Sequence, residues 1–466
     1  MQKTATTYLL LITFVAAIGG FLFGYDWVVI GGAKPFYEAY FHLESDPALQ
    51  GWAMSSAIVG SFIGVLLSGG MADRYGRKPL IYTAAILFII SAVGTGMAAN
   101  LNVFIIYRVL GGIGIGVASN LAPMYIAEIA PAESRGKFVS INQLTIVLGI
   151  LAAQIVNWLI AKPVLPDEII ATTWNGQQGW RWMFWAGAIP AVIFLLLLFL
   201  IPESPRWLYN KGKHEAARRI FSRMGGDYYA DESMATIDAT NKNNDKLKKR
   251  NLFKGKLLQL LLLGSFIAVF QQWCGINVIF NYAQEIFTAA GYTVSGMLFN
   301  IIITGVINVI FTFVGMYMVD RVGRRALMLF GAAGLFGIYA ALGACYYLNC
   351  SGIFVLLLVL AGIAVYAMTL APVTWVIIAE IFPTAVRAQA MAIATSLLWI
   401  ACFVLTYTFP MLNQSLGAAG TFWLYGIVCL IGYVFLWGQL KETKGKSLEE
   451  IEQELSNEAQ HPHVLK

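Results

Sequence analysis

Charge is scarce in this chain. Only 12% of its residues are Asp, Glu, Lys or Arg, against 58% hydrophobic, and the mean hydropathy is +0.69; a soluble domain carries about twice that share of charge. Soluble globular classes are excluded on that ground, and the slight excess of 31 Lys and Arg over 25 Asp and Glu gives no reason to expect a nucleic-acid partner. Histidine is rarer still: there are four, and His461 and His463 fall near the end of the sequence. No His, Cys or Ser constellation sits in an apolar run at catalytic spacing, so the chain does not read as an enzyme. Of the five cysteines, Cys274, Cys402 and Cys429 fall in apolar runs without metal-ligand spacing and read as packing residues. Cys345 and Cys350 flank an expected outer loop, where a local disulfide is open to them. No metal and no cofactor is expected.

What is abundant is apolar sequence in long runs. Candidate spans lie near 8–31, 50–69, 80–98, 103–126, 138–160, 182–201, 257–288, 295–318, 326–347, 353–378, 388–410 and 421–439, each able to cross a hydrocarbon core of about 30 Å. Because the runs recur along the whole chain, the first is a span and not a cleaved signal. The expectation is an all-α integral membrane protein of twelve transmembrane helices. They form two sets of six, residues 1–201 and 255–440, joined by a polar stretch at 202–254 and followed by a tail at 441–466. Within the joining stretch, 213–224 reads as a short amphipathic helix and 241–250 as a charged segment that cannot cross lipid. Basic residues cluster on alternate connections, at 74–78, 135–137, 202–254, 321–325, 387 and 441–446, while the opposite connections carry few, such as Lys34 and Lys162. The positive-inside rule then makes both termini cytoplasmic.

The two sets repeat one another. Asp73-Arg74-x-Gly76-Arg77-Lys78 follows the second span and Asp320-Arg321-x-Gly323-Arg324-Arg325 the eighth; the Glu128 to Arg135 element follows the fourth and the Glu380 to Arg387 element the tenth. Matched pairs at matching places mean a duplicated unit. Two similar bundles can close on either face of a membrane at similar free energy, which suits a transporter that alternates access to a central site. Cytoplasmic helix ends expose carbonyls, so Arg74, Arg77, Arg135, Arg321, Arg324, Arg325 and Arg387 can cap them or pair with Asp73, Glu128, Glu203, Asp320 and Glu380.

Two polar features interrupt the apolar runs. Gln271, Gln272, Asn277 and Asn281 lie within the run 257–287, where no water satisfies a carboxamide, so they must face protein groups or a wet cavity. In an unbroken helix Gln271 and Asn277 would point roughly 240° apart, but Gly275 between them can let the helix unwind and the amides converge, as in the broken helices of transporter sites. The bland alternative, amides that only join helices, suits one such residue better than four. The second feature is Asp26, an acid whose insertion costs about 2.5–3.5 kcal/mol at mid-membrane. If the first helix ends near Gly31 and the fourth starts near Val103, Asp26 and Arg108 both lie roughly 7.5 Å inside the outer surface and can meet. Burial disfavours the charged carboxylate and an adjacent arginine favours it, so a change in access can load and release a proton. The alternative is a fixed ion pair that positions the two helices.

With these motifs, and with Pro202-Glu203-Ser204-Pro205-Arg206-Trp207 and Gln271-Gln272 to Asn277 in the same order, the chain resembles the sugar porter family of the major facilitator superfamily. The resemblance covers nearly the full length, and is nearest to bacterial proton-coupled sugar symporters of the xylose, arabinose and galactose type. Lys441-Glu442-Thr443-Lys444-Gly445 departs from the proline that the family usually has in first place. The resemblance implies a two-bundle fold in the cell membrane, a monosaccharide and protons as the small partners, the proton gradient as driving force, the lipid bilayer as surroundings and function as a monomer. It carries sugar contacts onto Gln143, Gln271, Gln272, Asn277, Asn308 and Trp375, with Phe23 and Trp399 as apolar walls. Amides both donate and accept, as sugar hydroxyls do, and aromatic rings cover C–H faces. It carries proton coupling onto Asp26 with Arg108, an acid at this place going with symport and a neutral residue with facilitated diffusion. It makes Asp73, Arg74, Arg77, Glu128, Arg135, Glu203, Asp320, Arg321, Arg324, Glu380 and Arg387 the contacts that hold the cytoplasmic side shut, and Gly362, Pro372 and Pro383 candidate bends of a gate.

Several positions depart from those symporters. Ile150 and Leu398 stand where they offer glutamine, Ala371 replaces a glycine, Asn281 a tyrosine, and Trp27 a smaller residue. A site that cannot satisfy a hydroxyl rejects the sugar carrying it, so a deoxy-sugar, a pentose or a cyclitol fits the reduced polar set. Two alternatives stay open. A facilitative sugar or polyol uniporter would differ in not concentrating its substrate, and a sugar receptor would need a signalling module for which the tail after Lys446 leaves little room.

Overall fold

The computed structural model describes residues 3–131, 135–165, 167–247, 252–350, 352–382, 386–442 and 444, and no strand occurs among them. They divide into two compact units, one drawn from residues 1–243 with 293–305 and the other from 244–292 with 306–466.

The first unit contains α1 (Lys3–Phe41), α2 (Pro47–Tyr75), α3 (Arg77–Met97), α4 (Leu101–Ile129) and α5 (Arg135–Ile160). Its sixth span, Asn175–Leu200, opens with a π-helical turn and continues through α6 (Trp180–Ala186) and α7 (Ala188–Leu197). Side-chain caps set two of the starts. The Asp46 carboxylate accepts the Ala48 and Leu49 N–H groups at 3.0 and 3.1 Å beside Pro47, and Asn100 accepts that of Val103 at 3.1 Å. α2 meets α4 along a seam of small residues, where a Cβ on Gly112 would stand 2.9 Å from the Gly60 Cα. Close backbone approach of this kind replaces the hydrophobic drive that lipid does not supply.

α1 outruns its expected span. It continues past Gly31 to Phe41 because Tyr37, Tyr40 and Phe41 stack on the buried Phe104 and Trp180, with ring centroids 5.0–5.6 Å apart. Lys34, expected on an outer connection, is instead buried in this extension, 2.8 Å from Glu38 one turn on; only mutual neutralisation lets such charges be buried. The joining stretch forms α8 (Pro205–Asn210), α9 (His214–Gly225) and α10 (Asp227–Leu247). Ala217, Phe221 and Met224 of α9 are buried and Arg218, Arg219 and Arg223 exposed, the amphipathic pattern read from sequence. α10 runs into the charged segment, which up to Leu247 holds no Gly or Pro to stop it.

The second unit contains α11 (Gly255–Trp273), α12 (Ile276–Asn281), α13 (Ala283–Ala289), most of α14 (Val294–Val322), α15 (Arg324–Tyr347), α16 (Gly352–Met368), α17 (Leu370–Ile381) and α18 (Arg387–Gln439). α11 and α15 pack on α18, and α17 on α11 and α15. The expected last two spans are the two arms of α18, which breaks at Gly417 (φ 67°). The bend expected around Gly362 and Pro372 falls between them at Thr369 (φ −123°, ψ −88°), since Pro372 has no N–H to return to the preceding turn; Pro383 lies outside the described residues. All five cysteines are free, Cys345 and Cys350 included.

Candidate functional site

In the first unit, α4 presents Arg108 to Asp26 of α1. Nη1 donates to Asp26 Oδ1 at 2.8 Å and Nη2 to the Asp26 backbone carbonyl at 3.3 Å, with side chains only 2% and 13% exposed. They meet although α1 ends ten residues beyond the end assumed in the depth estimate, because contact is set by the crossing of α1 and α4 and not by where either helix ends. Leu22, Tyr25, Val29, Phe88, Ala92 and Phe184 line a small cavity beside the carboxylate, and the Phe184 ring lies 5.6 Å from the guanidinium. In such surroundings, removing one partner leaves a buried charge at a cost of about 3–5 kcal/mol. Asp26 Oδ2 is buried and without a hydrogen-bond partner among the described residues. One oxygen is therefore committed to arginine while the other keeps lone pairs that can take a proton.

In the second unit the carboxamides form a chain. Gly275 adopts φ 86°, in the left-handed region, where a side chain would be strained; α11 stops at Trp273 and α12 starts at Ile276. The break turns Asn277 back toward Gln272, and Asn277 Nδ2 donates to Gln272 Oε1. Gln272 Nε2 donates to Gln271 Oε1 at 2.9 Å, and Gln271 Nε2 to Tyr366 Oη at 2.9 Å. The convergence that Gly275 permits is thus realised. α18 holds both sides of the break: Trp273 Nε1 donates to the Ala401 carbonyl at 3.0 Å and the Tyr282 hydroxyl to that of Thr406 at 2.6 Å. Asn281 is buried with its Oδ1 unpaired among the described residues.

The remaining expected contact residues are not part of this chain. Asn308 on α14 and Trp399 on α18 are buried, whereas Trp375 on α17 is 39% exposed. Phe23 packs edge-on against Trp27 at 6.0 Å, and Gln143 on α5 is half-buried.

The loop motifs build the same node in each unit. Arg77 donates to the Ala72 carbonyl at 2.9 Å and pairs with Glu128 at 2.9 Å and Asp73 at 3.3 Å. Arg324 donates to the Val319 carbonyl and pairs with Glu380, both at 3.1 Å. Among the described residues Glu203 serves no arginine side chain, contrary to expectation: it caps α3, accepting the backbone N–H groups of Arg77 and Lys78 at 3.0 and 3.2 Å. It does so because Gly76 (φ 103°) leaves the first N–H groups of the helix open. Arg74 and Arg321 stack on Tyr75 and Tyr317, at 5.2 and 4.1 Å, and Arg387 Nε donates to the Phe382 carbonyl at 3.0 Å. The side chains of Arg135 and Asp320 lie outside what is described.

A family model described as sugar (and other) transporter matches residues 12–455. The chain belongs to this sugar transporter family. It is 38% identical over 477 aligned positions to the D-xylose-proton symporter of Escherichia coli (strain K12), with 96% of each chain covered. It is 37% identical over 446 positions to the arabinose-proton symporter of Bacillus subtilis (strain 168), covering 96% of this chain and 94% of that one. A solved structure of the xylose transporter XylE from E. coli, in a partially occluded inward open conformation, superposes with a TM-score of 0.84 at 36% identity, over 95% of this chain and 100% of the other. The fold is that of a twelve-helix transporter of the major facilitator superfamily, and the chain is a membrane transporter and not an enzyme.

Three residues of this sugar transporter escaped the sequence reading. Glu442 accepts the N–H groups of Arg324 and Arg325 at 2.8 and 3.0 Å, as Glu203 does in the first unit. Aligning Pro202-Glu203-Ser204 with Lys441-Glu442-Thr443 would have found it. Ser204 donates to Glu128 at 2.5 Å and accepts from the Trp207 N–H at 3.2 Å. Tyr366 ends the amide chain; its only signal was a hydroxyl in the middle of an apolar run.

Proposed function

We propose that this transporter carries a monosaccharide and a proton together across the cell membrane by alternating access. The observation that carries the reading is the buried Asp26–Arg108 pair with its unpaired Oδ2. Arg108 holds only one carboxylate oxygen, and a carrier needs an acceptor that the cation does not hold at the point where charge is neutralised. Protonation of Oδ2 removes the carboxylate charge, weakens the hold of Arg108, and lets α1 and α4 shift against each other. The chain Tyr366–Gln271–Gln272–Asn277 supplies the donors and acceptors that a sugar exchanges for its hydration. Asn308, Gln143, Trp375, Trp399 and Phe23 complete the substrate contacts, and the Arg77 and Arg324 nodes act as latches. Relatives named for xylose and arabinose make pentoses the first candidates. The reading takes 1–201 and 255–440 as the two bundles, 202–254 as the linker and 441–466 as the tail. Both termini are cytoplasmic, and one copy suffices because each chain carries both the charged pair and the amide chain.

The test is external pH in de-energised cells overproducing the protein, on addition of pentoses, hexoses, deoxy-sugars and inositol in turn. Alkalinisation with one sugar, absent in Asp26→Asn, is the expected result. Sugar entering without proton movement makes the protein a uniporter, and no sugar entering overturns the substrate class.

A further inference from the structure

The Asp26 oxygen that Arg108 leaves free faces a second buried group without a partner. Ser91 lies on α3 and is 1% exposed, and its Oγ makes no hydrogen bond among the described residues. Gly111 of α4 brings the two together. A Cβ at that glycine would stand 2.8 Å from the Ser91 Cβ, closer still to its Oγ, and 3.6 Å from Asp26 Oδ2. With glycine at 111, Ser91 packs against the α4 backbone, so a hydroxyl and a carboxylate oxygen, both removed from water, converge beside it. Leaving either unsatisfied costs about 1–3 kcal/mol, so the arrangement favours a contact between them.

We infer that Ser91 is the second partner of Asp26, brought to it beside Gly111, and that it positions the carboxyl for proton exchange. This rests on the proton-coupling reading above. A hydroxyl both donates and accepts. With Asp26 ionised, the Ser91 O–H donates to Oδ2. When a proton arrives from water and an Oδ2–H bond forms, that bond donates to the Ser91 oxygen, whose own hydrogen stays on Oγ and turns away. Ser91 thus serves both protonation states, where Arg108 serves only the charged one. The other titratable or charged groups facing Asp26 among the described residues are Arg108 from α4 and Tyr25 from α1. α3 brings Phe88 and Ala92 and the sixth span Phe184 and Gly187, none of them charged.

Ser91→Ala removes a bond from each form, and the one to the ionised form is the stronger, so the pH midpoint of sugar-driven proton uptake should move up by about half to one unit, a roughly three- to tenfold tighter hold on the proton. The sugar KM at acid pH should stay unchanged. Ser91→Thr, which keeps the hydroxyl, should restore the original midpoint, as a merely structural role would not require. If Ser91→Ala does not reach the membrane, Ser91→Cys, with a weaker donor, should shift the midpoint the same way by less. Infrared difference titration of the purified protein gives a second readout, the carboxylic acid band that Asp26→Asn abolishes. Unchanged midpoints in both readouts, with Asp26→Asn uncoupled, overturn the role of Ser91 alone. Sugar accumulation that survives Asp26→Asn overturns the proton reading instead.

Discussion

In the first unit a glycine at φ 103° opens a helix whose first N–H groups are held by Glu203, and Arg77 of that helix pairs with Glu128. In the second a glycine at φ 104° opens a helix held by Glu442, and Arg324 pairs with Glu380. The spans these nodes join have diverged. The first unit carries an ion pair, Asp26 with Arg108; the second carries linked amides around a helix break. Duplication kept the parts that hold helix ends, while the polar groups inside the spans differ between the units. The repeated residues accordingly read as mechanical and the unrepeated ones as chemical.

That division can be broken experimentally. Asp26→Asn should have the largest effect: accumulation of sugar against its gradient falls to mere equilibration, measured in energised vesicles, while exchange of sugar across the membrane persists. Loss of exchange as well would place Asp26 on the mechanical side. Next, Arg77→Ala should lower stability by about 3–5 kcal/mol by stranding a buried charge. Arg324→Ala should cost less, because Glu380 is 21% exposed against 10% for Glu128 and water can take up part of its charge. Thermal unfolding in detergent measures both, and equal losses would mean that the nodes are interchangeable. Gln272→Leu should raise the sugar KM about tenfold, near 1.4 kcal/mol, leaving proton coupling intact; a coupling defect would join the two chemistries that the comparison separates.

The smallest effect is expected outside both classes, on the exposed face of α9 and α10. Hydrogen bonding to Arg218, at 3.0 Å, holds the Asp231 carboxyl below the usual carboxylate range. Its contribution to stability is therefore present above that usual range and lost as pH falls through the lowered value. Asp231→Asn should be marginally less stable than the parent at neutral pH and converge with it in acid, as thermal unfolding across pH would record.

Most of the helices and the duplication were legible, because apolar length and charged loop motifs are local properties of the chain. Gly275 was legible too, since only a glycine between two amides lets both turn inward. The extension of α1 was not: its reason is Trp180, far along the sequence, and Lys34 looked like a loop residue until Glu38 and the core around it were seen. Tyr366 and Ser91 were illegible because a single hydroxyl in an apolar run has no period or motif to mark it. Only a neighbour from another helix gives it a role.

By itself, the sequence determined that this chain crosses a membrane about twelve times in two related sets, and that Asp26 and the amides of 271–281 are its exceptional polar groups. Hydropathy, repeats and the cost of burying charge act residue by residue and need no neighbours. Tertiary structure decided that Arg108 takes one oxygen of Asp26 and leaves the other beside Ser91. It also decided that Glu203 and Glu442 hold the first N–H groups of helices. Hydrogen bonds reach about 3 Å, and which groups come that close is fixed by how helices cross, a property that no single stretch of sequence contains.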